Sequence, residues 1–499
     1  MKILMMSSET VPYAKSGGLA DMVSALSLAL KQEDSDVRIL MPLYNDVKRE
    51  GLEFLSELHI NMVFRTEKAA LYSTEMDESG ITVYFLESDK YFSRKGIYGP
   101  TPASSYPDNA HRFSLLAASF ESVCLYLNWI PDILHSHDWP TGLSPLYLKR
   151  SDEKFKNTAS VFTIHNMGYQ GTYHKRDLPW TGLKQDDTHR FNMMKDGYVN
   201  FLKTGIENNN RITTVSPNYA EEIKTLAYGH GLDQSLNHRA DYLTGILNGV
   251  DYSSWNPESD RYISPHNYSS YDLKGKAQCK TRLQIKMSLV EDPKIPLFAM
   301  ITRLVEQKGI EELCRPGYGI LEGFCREQKV QVVILGTGEP WVEEELKKLS
   351  SELPNLSVKI AYNEEMSHLI EGGADFFIMP SHYEPCGLNQ LYSLKYGTIP
   401  IVRKTGGLAD SVRDPLSREG WKQATGFVYE KADPEYLRET LDRAVECWEE
   451  SPDKVRILRR NGMNKDFSWK PSALAYIDVY EDALSDIKDR KTTEHTPGE

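Results

Sequence analysis

The turn Lys15-Ser16-Gly17-Gly18-Leu19 follows an apolar run and opens the amphipathic stretch DMVSALSLAL. Its amides therefore fall at a helix N-terminus, where an anion is favoured. Glycine lets backbone approach a ligand closely and Lys15 adds a charge, but taken alone the motif is equally a strand-to-helix turn with a solvated lysine. No G-x-G-x-x-G follows the first apolar run and no G-x-x-x-x-G-K-[ST] occurs, so a dinucleotide fingerprint and a P-loop are both unsupported. Arg303 and Lys308, in ITRLVEQKG, lie five residues apart just beyond another apolar run, and a turn there can converge two cations on a diphosphate. In the same half, TGGLAD (405–410) and Glu384-Pro385-Cys386-Gly387-Leu388 start two further helices. Each element is common by itself; together they predict a phosphate site. Glu384 is out of place facing phosphates, and it fits if the phosphate carries a neutral polyol whose hydroxyls need acceptors. His165-Asn166 and Asn248 add hydrogen-bonding groups in the first half, although a lone histidine at such a place is more often structural. HSHD (135–138) puts two histidines on one side of a strand, but no additional ligand cluster accompanies them, and no metal site is predicted.

These groups need elements to hold them. Short β-branched and aromatic runs recur with amphipathic stretches between them, the pattern of βα units and parallel sheets. The first half offers runs at 3–8, 37–44, 81–88, 132–138, 160–166 and 211–217; the second restarts at 296–303, 330–338, 357–363, 374–381, 400–407 and 426–430. Many of them end in the residues just named. Ligands of an open α/β sheet sit beyond the carboxyl ends of its strands, so the expected architecture is two Rossmann-like domains with parallel sheets facing a central cleft. The echo between AKSGGLADMVSAL (14–26) and RKTGGLADSV (403–412) suits two similar domains. Between the halves, about 40 residues rich in Asn, Ser, Tyr and Pro show no apolar period and read as a connector. After Pro434 a helical stripe of Leu437, Leu441, Val445 and Trp448 precedes a second helical segment at 471–484 and a polar tail.

Composition narrows the class. In 499 residues, 58 Lys+Arg stand against 71 Asp+Glu, a net charge of −13, which disfavours nucleic acid and anionic membranes as partners. An anionic ligand then needs a local basic pocket. The six cysteines (Cys124, Cys279, Cys314, Cys325, Cys386, Cys447) form no C-x-x-C, which suits a reducing compartment. The N-terminal apolar stretch is too short for a signal sequence and no run reaches the ~18 apolar residues of a membrane helix. A soluble cytoplasmic protein of roughly 2–3 domains is expected.

Assembled in order, these motifs resemble the bacterial glycogen synthase and plant starch synthase family, retaining glucosyltransferases of the GT-B type. KILMMSSETVPYAKSGGLADMV, HSHDW, VFTIHNMGYQG, ITTVSPNYAEEI, GHGLD, GILNGVD, ITRLVEQKG and SHYEPCGLNQLYSLKYGTIPIVRKTGGLADSV carry the likeness across nearly the whole chain. K-x-G-G-L together with E-P-C-G-L-[TN]-Q is its most specific part. Where broader relatives carry a second Glu eight residues after Glu384, this chain has Tyr392, as the synthases do.

The resemblance implies transfer of glucose from ADP-glucose to the nonreducing 4-OH of an α-1,4-glucan such as glycogen, with the anomeric configuration kept. Glu384, Arg303, Lys308, His165 and Lys15 are the implied catalytic residues. Arg303 and Lys308 would hold the diphosphate, helped by Lys15 and the Gly17-Gly18 and Gly406-Gly407 backbones. Glu384, His165, Asn166 and Asn248 would surround the glucosyl unit, Cys386, Gly387 and Leu388 would line the donor site, and Tyr362 would stack on the adenine. Tyr98 and Asp138 would lie on the acceptor side. No cofactor and no metal is implied, because the two cations and the helix N-termini can neutralise the phosphate. The implied domains are 1–250 (acceptor side), a connector at 251–290, 291–466 (donor side), a helix at 467–490 crossing back to the first domain, and a tail at 491–499. Departures from the pattern are Pro140 after HDW, GIENNNR (205–211) before the ITTVSP strand, and the Pro-Gly pair in CRPGYG (314–319). Three alternatives stand beside this reading. They are a UDP-glucose-using synthase, a glucan-binding relative without turnover, and a phosphorylase-type enzyme, which would need a pyridoxal phosphate lysine.

Overall fold

A computed structural model describes residues 1–76, 79–101 and 104–494, with side chains as far as Asp489. The chain divides into two compact units, Met1–Gly249 with Trp469–Glu499, and Val250–Ser468.

The first unit is built on a nine-stranded sheet among the described residues, ordered β12-β11-β7-β6-β1-β2-β5-β4-β3. Its strands are β1 (Lys2–Met6), β2 (Asp36–Pro42), β3 (Glu53–Asn61), β4 (Thr66–Glu75), β5 (Thr82–Glu87), β6 (Ile133–His137), β7 (Ala159–Ile164), β11 (Arg211–Thr214) and β12 (Leu243–Gly245). A small separate sheet pairs β8 (Thr172–Tyr173), β10 (Tyr198–Asn200) and β9 (Met194–Lys195). The six expected runs of the first half fall on β1, β2, β5, β6, β7 and β11, which pair in parallel. In β6 and β7 every residue is buried, so both faces are covered, and β6 takes His135, Ser136 and His137 inside along with its apolar residues. The antiparallel β3–β4 hairpin escapes that signal because it closes one edge with alternating exposed Glu, His and Lys.

The second unit holds a six-stranded parallel sheet, β13 (Leu297–Leu304), β14 (Gln331–Gly338), β15 (Leu356–Ile360), β16 (Phe376–Met379), β17 (Ile399–Arg403) and β18 (Phe427–Tyr429), in the order β15-β14-β13-β16-β17-β18. Alternate residues enter opposite cores: Phe298, Val332, Phe376 and Ile401 on one face, and Ala299, Val333, Phe377 and Val402 on the other. Counted in chain order, these strands stand 3-2-1-4-5-6, and so do β1, β2, β5, β6, β7 and β11 of the first unit. This is the doubly wound α/β order. Its switch points lie between β1 and β6 in one unit and between β13 and β16 in the other.

Two expectations are corrected. The stretch 251–290 is part of the second unit, because Ile263, Tyr268 and, on helix Lys274–Lys286, Cys279 and Leu283 enter its core. Lys276 and Lys280 on that helix are also buried, which hid its apolar face in the text. The echoing glycine turns do not occupy equivalent places either: one follows the first strand of its sheet and the other the fifth.

Helix Trp469–Glu494 belongs to the first unit, where Ala473, Tyr476, Val479, Tyr480 and Ala483 enter its core. It therefore runs into the residues expected as a tail; 495–499 lie outside the described residues. Tyr480 Oη lies 2.8 Å from His135 Nδ1, and Arg211 forms a bidentate pair with Asp486. No described helix is long and apolar enough to cross a membrane. Tyr480→Phe leaves His135 Nδ1 without its partner inside the core. It should cost about 1–3 kcal/mol, read as a lower urea midpoint; an unchanged midpoint would show that the bond adds nothing.

Candidate active site

In the second unit the switch point brings the end of β13 beside the segment after β16. Arg303 closes β13 with an exposed guanidinium, whose contact to Gln307 is a long 3.4 Å. The turn through Lys308 ends at Gly309, φ +68°, where a Cβ would lie 2.1 Å from the Pro380 carbonyl. Only glycine permits that approach. It seats Lys308 Nζ 2.5 Å from Glu384 Oε2, with 15% and 10% of the two side chains exposed. Ser381 Oγ donates to the same carboxylate oxygen at 3.0 Å.

Gln307 braces this arrangement, its Nε2 donating to Tyr383 O and its carbonyl accepting from His382 N. Arg403, buried at the end of β17, donates to the carbonyls of Ser381 and His382. His382 Nε2 lies 2.7 Å from Glu312 Oε1, whose hydrogen bond raises the imidazole pKa against the effect of burial.

The sequence reading gave Lys308 to the diphosphate and Glu384 to the sugar. The structure pairs the two directly, so one acidic oxygen is occupied while the ammonium keeps further N–H donors. Gly406-Gly407, expected at the diphosphate, also have a packing role. A Cβ at Gly406 (φ +42°) would lie 2.0 Å from Glu384 O, one at Gly407 2.0 Å from Cys386 O. Gly407 N donates to the carbonyls of Glu384 and Pro385. The pair seats the turn that carries Glu384. Cys386 is buried, Gly387 is left-handed (φ +69°), and Leu388 begins helix Asn389–Tyr396 without a side-chain cap. Tyr362 stands on the loop after β15, 88% exposed, with a ring face available for stacking.

In the first unit Glu9, absent from the sequence-based site, organises the loop after β1. Its buried carboxylate accepts from Ser16 N, Ser16 Oγ (2.7 Å), Gly17 N (3.3 Å) and Tyr98 Oη (2.6 Å). The chain's own anion thus takes amides that the sequence assigned to a phosphate. Gly17 and Gly18 meet nothing within 4 Å at the Cβ position, so packing does not require them, and the backbone is open to an external group. Lys15 is turned to Asp21 (2.7 Å) in an exposed pair. Tyr98 also contacts Ser8 Oγ at 2.8 Å, and its loop is anchored by the buried Arg112, which donates to Tyr91 O and Ile97 O. The Tyr98 hydroxyl is thereby engaged inside the unit instead of standing on an open acceptor surface.

Beyond β6, Asp138 is held at φ +54° and its Oδ1 accepts from His165 N at 2.7 Å. His165 Nε2 lies 3.1 Å from His137 Nδ1. Burial lowers His165 to about 3, so its ring is neutral. His137 Nε2 and Asn248 Oδ1 are buried without hydrogen-bond partners among the described residues. Such groups call for a ligand or water. Asn166 Oδ1 accepts from Gly168 N, and Trp139 links the two networks, its ring 5.7 Å from that of Tyr98. Among the described residues no group of three or more His, Cys, Asp or Glu could hold a metal ion.

The starch synthase catalytic domain family matches residues 2–238, and the glycosyl transferases group 1 family matches residues 282–462. The chain is 47% identical to a glycogen synthase of Treponema denticola over 97% of its length and 99% of the relative's. It is 40% identical to the glycogen synthase of Syntrophotalea carbinolica, covering 97% and 99%. The catalytic domain of starch synthase IV from Arabidopsis thaliana, solved bound to ADP and acarbose, superposes with a TM-score of 0.86 at 32% identity over 97% of this chain and 99% of that one. With two doubly wound sheets carrying polar groups at their switch points, the fold and site define a glycosyltransferase of the GT-B type. Within that class the chain belongs to the glycogen synthase and starch synthase family.

Glu9→Gln replaces an acceptor-only group by one whose NH2 faces donors. It should lower kcat/KM by about 10–100-fold without unfolding, and Tyr98→Phe should do the same more weakly. Steady-state kinetics that match wild type for both would show that the glycine loop holds itself. Burial raises Asp138 to about 7 from 3.8, against the backbone N–H groups of His165 and Asn166. The folded state therefore binds this proton more tightly than the unfolded chain. The Asp138 contribution is full below 3.8 and is lost as pH rises through about 7. Urea midpoints should accordingly shift in favour of Asp138→Asn between about pH 5 and about pH 8; a pH-independent difference would contradict the raised pKa.

Proposed function

We propose that the protein transfers glucose from ADP-glucose to the nonreducing 4-OH of an α-1,4-glucan, retaining the anomeric configuration. The observation that carries this reading is the contact of Lys308 with Glu384 at the switch point, beside the exposed Arg303. One place then offers cations for a diphosphate and a carboxylate for sugar hydroxyls. The ADP and acarbose bound to the Arabidopsis relative, a nucleoside diphosphate and a saccharide analogue, are consistent with that division.

In this mechanism Arg303 and Lys308 stabilise the charge that builds on the departing diphosphate, with Lys15 released from Asp21 to assist. Glu384 holds glucosyl hydroxyls and adds a favourable field for an oxocarbenium-like ring. His165, neutral, hydrogen-bonds the same sugar, and Asn248 Oδ1 accepts from one of its hydroxyls. Tyr362 stacks on the adenine. The acceptor is positioned by Asp138 and the Tyr98 loop, and attacks from the face the diphosphate leaves, with a phosphate oxygen taking its proton. No metal is needed, because the two cations neutralise the phosphate. The six cysteines, all buried and unpaired, suit a reducing cytoplasm.

Initial rates with ADP-glucose and glycogen should exceed those with UDP-glucose and persist in chelator; the reverse preference would move the protein to the UDP-sugar users. Arg303→Ala and Lys308→Ala should each lower kcat by about 10²-fold or more. A rise in KM alone would remove both residues from transition-state stabilisation.

A further inference from the structure

Two segments of the second unit meet at the candidate site, and they are tied twice. One is the turn through Lys308 with the helix Ile310–Cys314 that follows it; the other runs from Ser381 to Glu384. The first tie is the contact of Lys308 with Glu384. The second lies four residues on from Lys308 and two back from Glu384, where His382 Nε2 stands 2.7 Å from Glu312 Oε1. Its polarity is reversed: here the lysine segment supplies the anion and the glutamate segment the basic group. The Glu312 side chain is 9% exposed, and its Oε2 is buried without a hydrogen-bond partner among the described residues. Breaking the pair would therefore leave a buried charge uncompensated. The His382 main chain is held as well, its amide donating to Gln307 O at 2.9 Å and its carbonyl accepting from Arg403. One ring thus fixes the backbone that carries Glu384 against the helix that follows Lys308.

The two ties differ in what the reaction asks of them. When Lys308 turns to a diphosphate and Glu384 to sugar hydroxyls, their direct contact is given up or shared with substrate. His382 and Glu312 have no part in that exchange, so their contact can keep the segments in register while the first one opens. Its strength depends on charge. The hydrogen bond to Glu312 lifts the imidazole above its ordinary 6.5 against burial; Arg403, at the end of β17, opposes that charge, and Glu306, in the turn before Lys308, favours it. Burial works to raise Glu312, yet His382 and Arg403 hold it below its ordinary 4.5. Tyr318 and Tyr429, which also face Glu312, are both pushed up by desolvation and keep their protons. The ion pair is complete on the acid side and loses its cation as pH rises through the lifted imidazole value.

We propose that His382 is a positioning residue for the transfer reaction: its imidazolium, paired with Glu312, keeps Glu384 aligned with Lys308, and loss of that proton loosens the site and slows turnover. The proposal rests on the function proposed above. The experiment measures kcat and KM for ADP-glucose, with glycogen saturating, across about pH 5.5 to about pH 9 in wild type, Glu312→Gln and His382→Gln. In wild type kcat should fall about fivefold on an alkaline limb above pH 6.5 while KM changes less than about twofold. Glu312→Gln should begin the same fall about one pH unit lower, and His382→Gln should keep the wild-type alkaline rate at every pH. Absence of the limb in wild type, a limb that neither variant moves, or a loss of equal factor at every pH would overturn the proposal. Should Glu312→Gln or His382→Gln fail to fold, Glu312→Asp, which keeps the charge and withdraws it by one methylene, should shift the limb the same way by less; a limb it leaves in place overturns the proposal. If wild type transfers no glucose, the functional reading fails. Hydrogen exchange of the peptide 381–388 then decides the tie alone: exchange about tenfold faster in Glu312→Gln at pH 6 supports it, and equal rates refute it.

Discussion

A parallel sheet buried on both faces leaves its strands no room for chemistry, and this constraint shapes both units. Every side chain of β6, β7 and β16, and the first four of β13, is buried. Polar function is pushed past the carboxyl ends, and the shared 3-2-1-4-5-6 order opens one gap per sheet where neighbouring connections diverge. Glu9 and Asp138 stand beyond one such pair of strands; Arg303 sits at the end of β13, and Lys308 and Glu384 stand beyond the other pair. The site residues are far apart in sequence because they follow non-consecutive strands.

The second switch point is pinned from its opposite end. Asp375, just before β16, accepts from Leu297 N at the start of β13 and forms ion pairs of 2.6 Å with both Lys280 and Arg459. Desolvating three charges offsets much of their mutual attraction, so the cluster is poor evidence for stability. Its geometric effect is plainer: it ties the beginnings of the two strands whose ends carry Arg303 and Glu384. A second device acts nearer the site. Trp255 is stacked between His368 (3.8 Å) and Tyr392 (4.0 Å), while Asp260 bonds both His368 and Tyr396. Trp255 thus joins the segment after Val250 to the two helices that carry His368 and Tyr392.

Apolar runs announced all twelve of the parallel strands they were expected to form, because most residues of such strands are buried apolar ones. Local order of the motifs was legible for the same reason. What stayed hidden depended on partners distant in sequence. Glu9 reads as one acidic residue after a strand, and only the fold brings Tyr98 to it. Arg112 and Arg403 read as ordinary surface cations until their guanidinium groups are seen bracing carbonyls inside the protein. Lys276 and Lys280 disguised a core helix as a connector, since a buried lysine that finds carbonyl or carboxylate partners is indistinguishable in text from a solvated one.

The two glycine turns show how far identical text can diverge in physical role. KSGGLAD and KTGGLAD differ by a single methyl group at one position, and each precedes a helix. In the second turn the glycines are demanded by packing, since backbone carbonyls of Glu384 and Cys386 fill the space a Cβ would need. In the first turn no neighbour demands them, and a buried carboxylate gathers the amides instead. A side chain at Gly406 would displace the Glu384 backbone and one at Gly407 that of Cys386, whereas one at Gly17 or Gly18 would leave the free fold undisturbed and obstruct only what approaches from outside. Packing thus explains glycine at the second turn, whereas at the first it leaves the backbone open to the ligand proposed above.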